Sequence, residues 1–111
     1  PSANPLLIQG FEYIVGAIQK GFEDQVVLAD EADIVAAKAA LEGLFGKIEG
    51  LCEIHLKTEG LPSSNADMML ITVFKDEESL KGYQKSPLHN AAADKYVRPY
   101  TAQRLCFDFE E

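Results

Sequence analysis

The sequence predicts a single α+β domain with elements in the order β-α-β-β-α-β. This is the ferredoxin-like arrangement, a four-stranded antiparallel sheet with helices on one face. Three observations predict it. Strand-like runs lie near both ends of the chain, at Phe11 to Lys20 and Gln103 to Glu110. Two helical stretches, with Asp30 and Asp76 placed to cap them, lie between those runs. Two further strand candidates, Leu51 to Thr58 and Asp67 to Phe74, flank the breaker-rich GLPSSNA and read as a hairpin. With 111 residues, 47% of them hydrophobic, the chain can bury one core and no more.

Residues 1–10 read as an N-terminal arm punctuated by Pro1, Pro5 and Gly10, and residues 11–111 as the domain. Pro1 is not expected to act as a catalytic amine, because Ser2, Ala3, Asn4 and Pro5 intervene before any strand. In FEYIVGAIQK, alternation puts Phe11, Tyr13, Val15 and Ala17 on one side of a strand and Ile14 and Ile18 on the other, with a helix left open. Asp24 to Ala29 either extends that strand or leads into the helix.

The first helix follows the Asp30 cap. Glu31 and Asp33 suit the positive end of its dipole, and Ile34, Ala37, Leu41, Leu44 and Phe45 recur at helical spacing until Gly46. The second, EESLKGYQK, starts after Asp76 and is broken and restarted at Ser86-Pro87, with Ser at the N-cap and Pro at the first helical position. Arg98-Pro99 ends it. The last strand sets Leu105, Phe107 and Phe109 against Arg104, Cys106 and Asp108.

Composition excludes several function classes. A net charge of -8, with 10 scattered basic residues, argues against binding nucleic acid. No apolar run is long enough to span a bilayer, so no membrane association is expected. The start lacks a basic, signal-like region. A cytoplasmic location is therefore expected, while the missing initial Met leaves a processed targeting segment open.

Cys52 and Cys106 are read as reduced, small core residues on opposite sheet edges, too far apart to bridge. Apolar residues on both faces of the strands predict a homodimer through the sheet face that the helices leave open.

The candidate site centres on Tyr83 and His89. An imidazole at a helix start is held neutral by the dipole and so can accept a proton. A tyrosine one loop away can donate a hydrogen bond to a developing enolate or carbonyl oxygen. Together they suit proton abstraction next to a carbonyl, followed by ring closure or isomerisation. The competing structural reading packs Tyr83 with Leu80 beneath the helix and has His89 capping backbone. Met68, Phe74, Tyr96 and Phe107 are candidates for the core or for an apolar pocket wall, and His55 for the pocket, the solvent or a dimer seam. Two separated histidines, with no carboxylate at ligand spacing, predict no metal. No phosphate loop or nucleophile elbow is present, and no cofactor is expected.

The segments GKIEGL, FKDEESLKGYQKSPLH and VRPYTAQRLCFDFE resemble the stress-responsive dimeric α/β-barrel family. The likeness is good over 46–110 and loose over 11–45. Tyr83, Pro87 and His89, with the Asp108–Phe109 pair, are its most specific elements. The resemblance implies two ferredoxin-like subunits with their sheets face to face, each keeping a cleft between sheet and helices.

A plant branch similar to olivetolic acid cyclase closes polyketide chains by aldol condensation, using a tyrosine and a histidine at the positions matched by Tyr83 and His89. Met68 stands where such cyclases carry another histidine, a departure from their pattern. Three readings follow. One is a dimer with a small apolar pocket for an aromatic or polyketide-like ligand. The second is a cyclase or isomerase using Tyr83 and His89. The third is a cofactor-free monooxygenase of the antibiotic-biosynthesis kind.

Overall fold

A computed structural model describes residues 6–15 and 31–110 of the protein. Its elements are β1 (Leu7–Val15), α1 (Glu31–Glu42), β2 (Leu51–Lys57), β3 (Met68–Phe74), α2 (Glu77–Lys85), α3 (Pro87–Tyr96) and β4 (Thr101–Glu110), with a short 3-10 turn at Arg98–Tyr100. The strands form one sheet in the order β2-β3-β1-β4, antiparallel at every junction. The expected ferredoxin-like topology is therefore present, with β2 and β4 at opposite edges.

The first strand starts earlier than the sequence suggested. Leu7 to Gly10, assigned to the arm, pair with β3 on one side and β4 on the other. Gly10 acts as part of a central strand rather than as a breaker, and a Cβ there would lie 3.3 Å from the Met69 methyl group. The remainder of the predicted strand after Val15, the Asp24–Ala29 run and the Asp30 cap fall outside the described residues.

α1 buries Ala37 and Leu41, and Leu44 follows them into the core. Regular helix ends at Glu42, so Phe45 leaves the buried stripe and is exposed. Glu42 fastens this helix to the sheet edge. Its carboxylate accepts from the Leu56 N–H at 3.0 Å and from Lys38 Nζ at 2.9 Å, and Lys38 also donates to the Leu56 carbonyl at 2.8 Å. Two backbone groups of the edge strand β2 are thereby satisfied, and the Leu56 N–H holds the Glu42 carboxyl below its usual range.

Asp76 caps α2 as expected, accepting from the Ser79 N–H at 2.8 Å and the Ser79 hydroxyl at 2.7 Å. Ser86 ends α2 and begins α3, in an extended conformation with ψ 128°, because a residue before proline is driven out of the helical region. Its hydroxyl makes no capping bond. Instead the Asn90 side chain donates to the Gln84 and Ser86 carbonyls, at 3.2 and 3.1 Å, and holds the corner.

The two sheet faces differ. Leu56, Leu70 and Phe11 form one cross-strand row on the helix side, and Phe74 and Leu7 belong to another. α1 packs against β2, and α2 against β2 and β3. The opposite face carries the rows Val73–Ile8–Phe109, Ile71–Gly10–Phe107 and Met69–Glu12–Leu105. Of these, Phe107 is 71% exposed and Leu105 58%. Cys52 and Cys106 are both exposed rather than in the core, because each lies on an edge strand that the helices do not cover at that point.

Gly50, between α1 and β2, has φ +81°, and a Cβ there would run into the Ser79 side chain. Its carbonyl accepts from the Lys75 N–H at 2.9 Å, so the turn is anchored at the end of β3. The Gly50→Ala variant is expected to lose about 1–3 kcal/mol from the left-handed backbone alone, and more from the contact. Urea unfolding would show this as a lower midpoint with an unchanged slope.

Candidate functional site

The helix layer covers the β2–β3 side of the sheet more fully than the β4 side. Residues of β4 that face the helices are correspondingly polar and exposed: Arg104 pairs with Tyr13, Cys106 with Phe11, and Asp108 with Gln9. Over this half of the sheet lies a cavity of about 520 Å³. Gln9, Phe11 and Tyr13 of β1 form its floor, and His89, Ala93 and Val97 its helical wall. Arg98, Thr101 and Arg104 stand at the side towards β4.

Two of the expected residues are brought together, His89 in the cavity wall and Tyr83 behind it in the core, outside the residues that line the cavity. Tyr83, in the last turn of α2, and His89, in the first turn of α3, stack with ring centroids 4.0 Å apart and planes inclined by 38°. Tyr83 is 1% exposed and also packs on Phe74, with centroids 5.1 Å apart. The Tyr83 hydroxyl and His89 Nδ1 are buried without a hydrogen-bond partner among the described residues. The backbone-capping role weighed for His89 is therefore absent at Nδ1.

His89 titrates at about 4, well below its ordinary 6.5. Burial is the largest cause, and the Arg98 guanidinium adds to it, with Asp94 opposing. The neutral form expected from the helix terminus is present, but desolvation does most to enforce it. Burial likewise raises Tyr83, with Tyr13 adding to the effect, and raises Tyr13 to about 12. The site near neutral pH thus holds an unprotonated imidazole beside two intact phenols, one proton acceptor and two donors.

The other expected pocket residues lie elsewhere. Phe74 is wholly buried in the core, and Met68, also buried, lies with Tyr96 beside Ile34 and Ala37. Phe107 is on the opposite face of the sheet, since its partner Gly10 belongs to the row that faces away from the helices. His55 is exposed on β2 and pairs with Glu53 at 3.1 Å. The cavity wall is mixed rather than apolar: Phe11, Ala93 and Val97 alternate with amide, imidazole, hydroxyl and guanidinium groups.

Gln9, Tyr13, Arg98 and Arg104 were not recognised as site residues. Gln9 was hidden by its assignment to the arm, although its place two residues before Phe11 and four before Tyr13 puts all three on one strand face. Arg98 is held by Asp94 and by Asn90 Oδ1 at 3.3 Å, whereas Arg104 lies over the Phe11 ring, 5.2 Å from its centroid. Among the described residues no group of histidine, cysteine, aspartate and glutamate side chains is placed to hold a metal.

The model of a family described as the Stress responsive A/B Barrel Domain matches residues 26–111. No curated protein matches the sequence. Among solved structures, a dimeric ferredoxin-like protein of unknown function from Bacteroides fragilis is 21% identical, with TM-score 0.75 and 96% of each chain covered. A dimeric ferredoxin-like protein of unknown function from Thermobifida fusca is 18% identical, with TM-score 0.77, covering 97% of this chain and 92% of its own. The hydroxynitrile lyase of Passiflora edulis is 10% identical, with TM-score 0.74 and coverage of 97% and 94%. At these identities the likeness is one of fold.

The low proton affinity of His89 has a measurable consequence. As pH falls below 6.5 the unfolded chain takes up a proton that the folded chain refuses until about pH 4, so stability is lost across that window. The His89 ring resonances are expected to titrate with a midpoint near 4 by NMR. Between pH 6.5 and 4, thermal melts of the wild type should fall more than those of His89→Gln, which has no imidazole to protonate.

Proposed function

The chain belongs to the family of the Stress responsive A/B Barrel Domain, and from that premise we propose that it is a homodimer whose cavity binds a small aromatic or polyketide-like carbonyl compound. The observation that carries this reading is the buried, unpartnered Nδ1 of His89 in the wall of the 520 Å³ cavity. Such a volume suits a small organic ligand. A buried polar atom without a partner is costly, and a ligand that hydrogen-bonds it recovers that cost.

The dimer forms through the open sheet face. Apolar rows centred on Phe107, Leu105 and Phe109 leave a patch that a second copy of the same sheet would cover by two-fold symmetry. Charged and polar residues of β2, Glu53, His55 and Lys57, border the patch on one side, as the rim of such an interface should. The two exposed free thiols, Cys52 and Cys106, fit a reducing compartment such as the cytoplasm.

A second reading is favoured by the stack of Tyr83 on His89. With a carbonyl compound in the cavity, neutral His89 would take a proton from the carbon next to the carbonyl, and a tyrosine hydroxyl would hydrogen-bond the enolate oxygen. This is the first step shared by cyclases and isomerases that work beside a carbonyl. The second-strand histidine, His55, is too exposed and remote from the cavity to serve as another base in the same subunit.

Light scattering should give a dimer at micromolar concentration, and Phe107→Asp a monomer that keeps its circular dichroism. A monomeric wild type would end the dimer claim. For the site, acetophenone and dihydroxyacetophenone are the probes, followed by NMR in deuterated water. Binding is expected to perturb the His89 resonances, and the absence of any response to either probe would overturn the ligand reading.

If proton transfer occurs, the methyl protons of acetophenone exchange faster with the protein present. That acceleration should vanish in His89→Gln and fall about 100-fold in Tyr83→Phe. Tyr83→Phe should meanwhile fold at least as stably as the wild type, because it removes a buried hydroxyl that has no partner. Binding without exchange would leave a binding protein.

A further inference from the structure

The side chain of Gln9 is 1% exposed, and both its Oε1 and Nε2 lack hydrogen-bond partners among the described residues. It lies on the floor of the cavity, facing the helices in the cross-strand row Ile54–Thr72–Gln9–Asp108. Its polar neighbours in that row are committed elsewhere. The Thr72 hydroxyl donates to the Gln9 main-chain carbonyl at 3.3 Å, and Asp108 accepts from the Cys106 thiol at 3.3 Å.

The Cys106 thiol is also near Gln9. Partial burial and Asp108 push it up to about 11, with Gln9 a minor opposing influence. The amide is close enough for a side-chain hydrogen bond to that thiol, but sulfur is a weak acceptor, and neither Oε1 nor Nε2 has a well-formed partner among the described residues.

Such an amide is expensive for the empty protein. Each unsatisfied buried polar group costs on the order of 1–3 kcal/mol, and an apolar side chain of similar shape would avoid it. On the helix side Gln9 lies between Thr72 and Asp108 across the sheet and between Leu7 and Phe11 along its strand, and the Thr72 and Asp108 side chains make their bonds elsewhere. Neither of those two neighbours bonds the Gln9 amide, so its polarity is not accounted for by hydrogen bonding across the sheet.

We infer that Gln9 is a specificity-determining residue of the cavity, reading an uncharged ligand group that presents a carbonyl acceptor beside an N–H or O–H donor. A carboxamide or a hydroxy-carbonyl group fits this description. The amide's Nε2–H donates to the carbonyl while Oε1 accepts from the adjacent donor, so one planar group answers another. A carboxylate is rejected, because one of its oxygens would face the Oε1 lone pairs and its charge would lose solvation on the floor. Arg98 and Arg104 line the β4 side of the cavity, Arg98 engaged by Asp94 and Asn90 and Arg104 over the Phe11 ring, so a preference for a carboxylate would mark binding there instead of at the floor.

The inference rests on the reading of the cavity as a ligand site, and its test separates the two. Benzamide, acetophenone and benzoate differ little in size but present donor plus acceptor, acceptor alone, and charged acceptors respectively. Their affinities for the wild type and for Gln9→Met, a swap of similar volume, are measured by NMR titration, together with the melting temperature of each free protein.

The wild type is expected to prefer benzamide. Gln9→Met should weaken benzamide about tenfold, as for the loss of one to two hydrogen bonds, with a smaller effect on acetophenone and none on benzoate. The free variant should melt higher than the wild type. Equal benzamide affinity in the two proteins, with His89 still perturbed, would overturn the inference and leave the ligand site standing. A preference for benzoate, or a lower melting temperature in Gln9→Met, would also overturn it, the latter by making Gln9 a packing residue. Failure of all three probes to bind at millimolar concentration would remove both readings.

Discussion

The corner between α2 and α3 is the constraint on which the site depends. Tyr83 and His89 are six residues apart, and at about 100° per residue an unbroken helix would set them roughly 120° apart around its axis. Pro87 prevents this by forcing Ser86 out of the helical region, and Asn90 fixes the resulting angle by bonding two carbonyls at the corner. The two rings then meet in a tilted contact with centroids 4.0 Å apart. A local backbone rule thus becomes a side-chain pair that neither helix could make alone.

A gradient of polarity across the sheet decides what surrounds the pair. On the helix side, the β2 and β3 positions are covered and, Thr72 apart, apolar, while the β4 positions run Arg104, Cys106, Asp108 and Glu110. Helices that bury the first half leave the second half partly open, and the cavity lies at the boundary. Among the described residues the buried side-chain polar atoms without partners belong to Gln9 and His89, which line the cavity, and to Tyr83, which packs against His89. Elsewhere the fold satisfies such groups with care, as Glu42 and Lys38 do for Leu56, so the concentration of unmet polar atoms at one place is a departure with a location.

Much of this was legible in the sequence for identifiable reasons. Asp76 and Ser86-Pro87 act through bonds and sterics within a few residues, and both behave as their identities dictate, save that the Ser86 hydroxyl makes no cap. The alternation in β4 separated Phe107 from Arg104 correctly, but it could not say which face would receive the helices, and Phe107 was expected in the pocket. Gln9 was missed because Pro5 and Gly10 read as punctuation, whereas pairing on both sides carries β1 straight through Gly10. Local signals are weak where tertiary hydrogen bonds override them.

What the sequence by itself determined is the list and order of elements and the break at Ser86-Pro87, since these follow from periodicity, capping and the sterics of proline, while Tyr83 and His89 were singled out as candidates by their side-chain chemistry and the family resemblance. What only the tertiary structure decided is how these residues are surrounded. The state of His89, neutral down to about pH 4, comes chiefly from burial and secondly from Arg98, neither of which can be read from its neighbours in the chain. The floor of the cavity likewise exists only once Gln9, Phe11 and Tyr13 of β1 lie beneath α3, a contact made across about eighty residues of chain. Local chemistry chooses the groups, and long-range packing sets their solvation and therefore their reactivity.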